Sequence, residues 1–453
     1  MVSFRTPVLS TQRSSTERLS ETSDSSPVEP LIRPPQESWG TQKRLETHFS
    51  QLEQDNLDEM LDRAMKRSNA PRFIARFHPQ SSWLWRQWRG TVLQHTWKPA
   101  LIMSLVSLAL VAWMEPVRRT GAHKWTLLEV PHEDDLGIRP LRGFTTMWGY
   151  LLTMCTFVNS FFLSQAYGFW LATKGNVRKV QGRLNDIGML IATHAKRDEH
   201  SGRYTPASRA FLDDVARNVR LFHMLFWAGQ VRPARGDKGV SYSALRTERG
   251  LRALLSRHAL TQQEHDLLVD NPALPETQRH AAVLEWIVTR FVHAKRDGLL
   301  LGGVGFEIRL LEESCKLRAV CASIADDASA RMPLSYVHLV QLLVDCLVAL
   351  APAALYPKLG VLTVLLSPIL VVFYRGFLQL SKSFLDPFGN EDSVSENFSL
   401  SCLLCETNAG STRWLSAIEG LPFPTSREPD ACVVDPDGHS EPACGAGGVT
   451  RRQ

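Results

Sequence analysis

Between Gly143 and Thr173 the chain runs for 31 residues without a formal charge, although 21% of the whole sequence is charged. A helix of that length is ~46 Å long, and about 20 mostly apolar residues suffice to cross ~30 Å of hydrocarbon. The run is not uniformly apolar. Thr153, Thr156, Asn159, Ser160, Ser164 and Gln165 are scattered among Phe157, Phe161, Phe162 and Phe169. A polar side chain facing lipid costs free energy unless it turns toward another helix or water. The pattern predicts a membrane helix with one lipid face and one face turned inward, onto a pore.

The rest of the 453 residues limits what can surround that helix. Mean hydropathy is slightly polar, so a few spans are joined to a large aqueous part. A net charge of +5 is small for this length and argues against nucleic acid as a partner. The eight cysteines form no dense disulfide framework. Cys155 and Cys346 fall in predicted spans, where a buried free thiol is expected, and the lone Cys402/Cys405 pair is too little for a zinc or redox site.

Residues 1–80 are expected to be disordered, apart from a short helix within His48–Arg67. Residues 1–20 lack the apolar core of a secretory signal. Arg5, Arg13 and Arg18 among Ser and Thr suggest a targeting peptide, whereas Glu17, Glu21 and Asp24 suit a cytosolic tail; both readings stay open. The tryptophans of SSWLWRQWRG (Ser81–Gly90) suit a headgroup zone, and the first span is predicted at about 97–115, bracketed by Trp97 and Trp113. An external loop to residue 142 leads to the second span, 143–173. Its basic end (Lys174, Arg178, Lys179, Arg183) opens a polar helical region, 174–332. Two further spans, 334–356 and 360–377, are joined by the short YPKLG link as an antiparallel hairpin. The distribution of Lys and Arg places both termini and the polar region on the cytoplasmic or equivalent side. The fold class is therefore all-α, with four transmembrane helices and a helical aqueous region, followed by a tail over 401–453 that is disordered from about 422.

Catalytic signatures are missing from the sequence. GGVG (Gly302–Gly305) follows no strand and reads as a helix-to-helix turn, His265 and His293 read as surface residues, and the chain carries no GxSxG, HExxH or phosphate-binding loop. Three other features carry chemistry. Thr153, Phe157 and Phe161 recur in steps of four and share a helical face; around an axis of several copies, the positive edges of such phenyl rings would favour an anion over a cation. Asp386, Glu391 and Asp392 in LDPFGNED surround Gly389 as oxygen ligands for a hard cation would. Asp345 and Arg375 sit at similar depth in the hairpin and are predicted to form an ion pair.

These pieces resemble the bestrophin family of anion channels over roughly residues 81–400. The resemblance rests on five blocks in the family's order. They are WRGT (Trp88–Thr91), AYGFW (Ala166–Trp170), LTQQEHDLL (Leu260–Leu268) with Trp286 downstream, MPLSY (Met332–Tyr336) and DPFGNED. The variant LDPFGNED…SENF is most similar to algal and other protist members. The resemblance implies a homopentamer in the lipid bilayer, with a central pore, a hydrophobic neck and a cytosolic cavity. It implies passive passage of chloride, bicarbonate and other monovalent anions, and places the neck at Thr153, Phe157 and Phe161. It also implies a calcium clasp at Asp386, Glu391 and Asp392, completed by backbone oxygens from residues 71–80.

Thr153 departs from the family's apolar residue and should weaken dewetting; the proline usual nearby is missing. Asp386 replaces an Asn, and Val394 stands where the acidic run should end, so the clasp is degenerate. Plasma membrane and plastid or thylakoid membrane are both compatible with the sequence. The competing reading is a membrane-anchored scaffold without conduction. A secondary transporter would need internal repeats, which the chain lacks.

Overall fold

A computed structural model describes residues 51–65, 73–74, 80–88, 90–119, 138–232, 241–329, 331–389, 397–417 and 419, all within one compact unit, Ser50–Gln453. Its elements are α1 (Gln51–Met65), α2 (Ser81–Arg86), α3 (Val92–Arg119), α4 (Arg139–His194), α5 (Pro206–Gln230), α6 (Glu248–Ser256), α7 (Gln262–Val269) and α8 (Arg279–Arg296). They continue with α9 (Val304–Ser329), α10 (Leu334–Leu359), α11 (Thr363–Phe384) and α12 (Leu400–Ala417). Among the described residues, β pairing is confined to two isolated bridges, Ala195 with Leu300 and Arg197 with Tyr204.

The organising element is α4, whose 56 residues make it ~84 Å long. Pro140 lies in its first turn, where a missing N–H costs nothing. The charge-free run occupies its first part, and the helix continues without a break through the basic end into the polar region. A stripe at near-helical spacing (Trp148, Cys155, Phe162, Ala166, Trp170, Val177, Leu184, Ile191) is buried along its length.

Two separate cores meet that stripe. In the apolar half, α4 packs against α10 and α11, burying Val340, Val344, Leu347, Ala351 and Val371 in one cluster with Trp148, Cys155 and Phe162. The Trp148 indole N–H donates to the Leu347 carbonyl at 2.9 Å, and Thr145 Oγ1 to the Ala354 carbonyl at 3.0 Å. Helix α11 also lies along α3, so closely at Gly376 that a Cβ there would strike Val92. Two stretches are long and apolar enough to cross a membrane, Val92–Glu115 and Leu334–Phe384. The first part of α4 is less apolar than either because of its Thr, Ser, Asn and Gln. The α10–α11 pair is antiparallel as expected, but YPKLG is still helix. The reversal falls at Gly360, whose φ of +52° suits glycine, and in the 3-10 turn Gly360–Leu362.

In the polar half the core is built from α5, α8, α9, α12 and the end of α4. Helix α5 starts on an N-cap, Thr205, which accepts from the Ser208 N–H. The segment LTQQEHDLL begins α7 with a capping box between Thr261 and Glu264. Glu264 then receives both Nη atoms of Arg217, at 2.6 and 2.8 Å, locking α7 to α5. The segment's role in the fold is thus a helix start and a charge clamp. Gly302 and Gly303 do form the turn between α8 and α9.

Three expectations are corrected. Residues 400–417 are not tail: α12 packs on α1, α4 and α5, with Leu403 and Leu404 buried and Trp414 over Gly188. His265 is buried beside Asp266, not on the surface. Cys346 is exposed, because its side of α10 faces away from α4, whereas Cys155 is buried as expected. Cys402 and Cys405 are both buried free thiols one turn apart on α12.

Candidate functional site

Opposite the buried stripe of α4 lies the face carrying Thr153, Phe157 and Phe161. All three are exposed; the phenyl side of Phe157 is 74% and that of Phe161 51% accessible, while Phe162, one residue on, is fully buried. The three predicted neck residues therefore form one continuous line on a helix whose reverse side is fixed by packing. Thr153 is less polar than its identity implies. Its hydroxyl donates to the Gly149 carbonyl, one turn back, at 3.1 Å, which leaves the methyl group as its other exposed part.

The remaining polar residues of the run divide in two. Thr156 and Asn159 hold α11: Thr156 Oγ1 is 2.5 Å from the Tyr374 hydroxyl, and Asn159 Nδ2 donates to the Tyr374 carbonyl at 3.2 Å. Ser160, Ser164 and Gln165 stay exposed on the Phe157 side. Tyr374, which anchors both, was not singled out by the sequence; an aromatic with a hydroxyl in an apolar span was the available signal.

The predicted Asp345–Arg375 pair forms. Arg375 Nη2 donates to Asp345 Oδ1 at 2.9 Å, with both side chains more than a third accessible. It is part of a longer chain. Gln341 Nε2 donates to Asp345 Oδ2, and Lys382 Nζ to Gln341 Oε1, each at 2.5 Å. Because 341 pairs with 382 and 345 with 375, these bonds also fix the antiparallel register. The row places Arg375, Lys382 and Asp345 on a largely apolar hairpin.

The clasp residues are placed only in part. Asp386 is almost fully buried, in a turn closed by the Gly389 N–H donating to its carbonyl at 3.1 Å. Its Oδ1 lies 3.2 Å from Arg331 Nη1. A calcium ion there would meet a guanidinium already fixed against the carboxylate, so this described part of the donor set does not fit the metal. Glu391 and Asp392 lie outside the described residues. Among the described residues no group of three or more His, Cys, Asp or Glu is placed to hold a metal ion. Arg331 and Asp386 are too far apart in sequence for their pairing to be read from it.

The basic end of α4 joins the two halves. Arg183 Nη1 reaches Glu313 of α9 at 2.6 Å, and Glu313 is also held by Arg309 at 3.0 Å and Lys316 at 3.1 Å. Burial would raise the Glu313 pKa, but the Lys316 hydrogen bond and the surrounding cations hold it below the usual carboxylate value. Arg178 pairs with Glu406 of α12, to which Gln181 also donates at 2.8 Å.

No protein-family model matches the sequence, and no curated protein is similar to it in sequence. Solved structures are similar in fold. A zinc-phased crystal structure of a bacterial bestrophin homolog from Klebsiella pneumoniae superposes with a TM-score of 0.51 at 13% identity, covering 70% of this chain and 97% of that chain. A substituted form of that homolog gives 0.52 at 12% identity with the same coverage. A crystal structure described as a membrane protein gives 0.52 at 13% identity, again over 70% and 97%. The chain is thus an all-α protein, and its fold is bestrophin-like.

Proposed function

We propose that the protein is a multi-pass membrane channel that passes monovalent anions, chloride or bicarbonate, passively through a neck formed by Thr153, Phe157 and Phe161 of several copies. One observation carries this reading: those side chains lie exposed in line on α4, directly opposite a stripe held by α10 and α11. A single chain leaves two large phenyl rings uncovered there. Lipid could cover them, but lipid would not suit the neighbouring Ser160, Ser164 and Gln165. An axis shared by several copies suits both, since it brings phenyl edges and hydroxyls to a narrow water-filled path.

The bestrophin-like fold makes a homopentamer the assembly to test, by the mass of the detergent-solubilised complex. The Arg331–Asp386 pair supports operation without calcium. The test of function is flux of chloride and bicarbonate into vesicles holding the purified full chain. Phe157→Ala and Phe161→Ala should change the rate or the anion-to-cation ratio. A chain that gives no flux above lipid alone would favour a scaffold, and variants that conduct with both quantities unaltered would remove Phe157 and Phe161 from the neck.

A further inference from the structure

A second site lies away from the neck. A cavity of about 660 Å³ opens between the end of α5, the 3-10 turn Tyr242–Arg246, the start of α8 and the last turns of α9. Phe222 and Leu284 give it an apolar floor. Arg232, Arg246, Arg318 and Arg331 line it against a single lining carboxylate, Asp326.

Elsewhere in the polar half, partly buried arginines are matched by acids: Arg217 by Glu264, Arg183 by Glu313, Arg257 by Asp58. Around this cavity the matching is incomplete. Arg331 has Asp386, but Arg318 makes no hydrogen bond or ion pair with the described residues. The Arg246 Nε is buried and lacks a hydrogen-bond partner among those residues. Arg246 and Arg331 are half-buried and Arg232 and Arg318 exposed, so positive charges gather around one space and the Arg318 guanidinium stays open to an incoming anion. An anion with several oxygens supplies the missing acceptors, and the planar guanidinium fork suits phosphate. The space is far larger than a halide needs, and its floor would take an organic body. Arg331 stands three residues before Leu334, where α10 starts, so a lipid headgroup could reach it as readily as a dissolved molecule.

We propose that this cavity binds the phosphate group of an organic phosphate, either free in solution or carried as a lipid headgroup, with Arg318 as its principal uncommitted contact. The proposal stands apart from conduction. Its test uses the purified full chain in detergent, with binding followed by titration calorimetry. The probes are ATP, inorganic pyrophosphate, dioctanoyl phosphatidylinositol bisphosphate and, as the uncharged-headgroup control, dioctanoyl phosphatidylcholine. Binding of ATP or pyrophosphate identifies the free source; binding of the inositol lipid alone identifies the headgroup. Arg318→Gln should weaken the bound probe about tenfold, the loss of roughly one charge-assisted contact. Asp326→Asn should tighten it, a change that misfolding cannot mimic. Lys179→Gln, which removes an exposed charge on α4, should leave it unaltered. Absence of binding by all three phosphates overturns the proposal. So does equal binding by wild type and Arg318→Gln, or an equal loss in Lys179→Gln.

Discussion

The two halves of α4 share one buried stripe and differ in what their other face meets. In the polar half, charged neighbours reach around the helix: Arg178 to Glu406 and Arg183 to Glu313. The far side there is Gly175, Lys179, Gly182 and Thr193, which water suits, with Met189 as its one large apolar side chain among the described residues. In the apolar half the far side is Tyr150, Phe157 and Phe161, at 74, 74 and 51% accessible, and no described element covers it. A helix can thus be finished within one chain at one end and left unfinished at the other. The unfinished end is where a partner copy or a water path has to be sought.

The sharpest way to break this contrast is to exchange neighbours on α4. Phe162→Ala should lower the denaturation midpoint by an amount equivalent to about 3 kcal/mol, at the low end for such a truncation because lipid is the reference and mainly packing is lost. Phe157→Ala should stay within about 0.5 kcal/mol in the same denaturation, since nothing within the chain packs on it. Equal losses would mean that the exposed face is structural.

In the polar half, Glu313→Gln should cost about 2–3 kcal/mol by leaving Arg183, Arg309 and Lys316 without their shared buried acceptor. Thermal unfolding measures it, and a loss under 1 kcal/mol would show that the cations simply rehydrate. Glycines separate the halves next. Gly188→Ala would drive a Cβ into the Trp414 ring and should cost about 1–3 kcal/mol, whereas nothing lies within reach of a Cβ at Gly175. Gly175→Ala should therefore stabilise the helix by up to about 1 kcal/mol, unless another copy approaches there.

A separate effect is in pH. Burial pushes the His223 imidazole down to about 3, and burial, partly offset by a hydrogen bond the ring donates to the Thr277 backbone, pushes His280 down to about 4. The unfolded chain takes up these protons near 6.5 and the folded chain does not. Stability is therefore complete above that value and falls as pH drops toward 4, by about 1.4 kcal/mol per unit for each histidine. Denaturation across that range should show the slope halved in His223→Leu. An unchanged slope would remove His223 from the account.

Much of this was legible in the sequence where the signal is periodic. The charge-free run, the steps of four from Thr153 to Phe161 and the two late apolar runs each encode one helix face or one span. The Asp345–Arg375 pair was readable because an isolated acid in an apolar helix demands a partner nearby. What failed depended on packing between distant segments. LSCLLCETNAGSTRW mixes small, polar and thiol residues, so the buried face of α12 shows only once α1 and α4 are in place. His265 looks like a surface residue among acids until Glu264 is clamped by Arg217 and draws the turn inward. Arg331 and the arginine-lined cavity come from four separate segments, none of which is unusual alone.

The central claim, that the exposed face of α4 lines an aqueous anion path, is tested most directly by Phe157→Cys in vesicles. A water-soluble methanethiosulfonate reagent should react with the introduced thiol and block chloride flux, with the parent chain unaffected. A thiol that reacts completely without changing flux, or that stays unreactive in a conducting protein, would contradict the account.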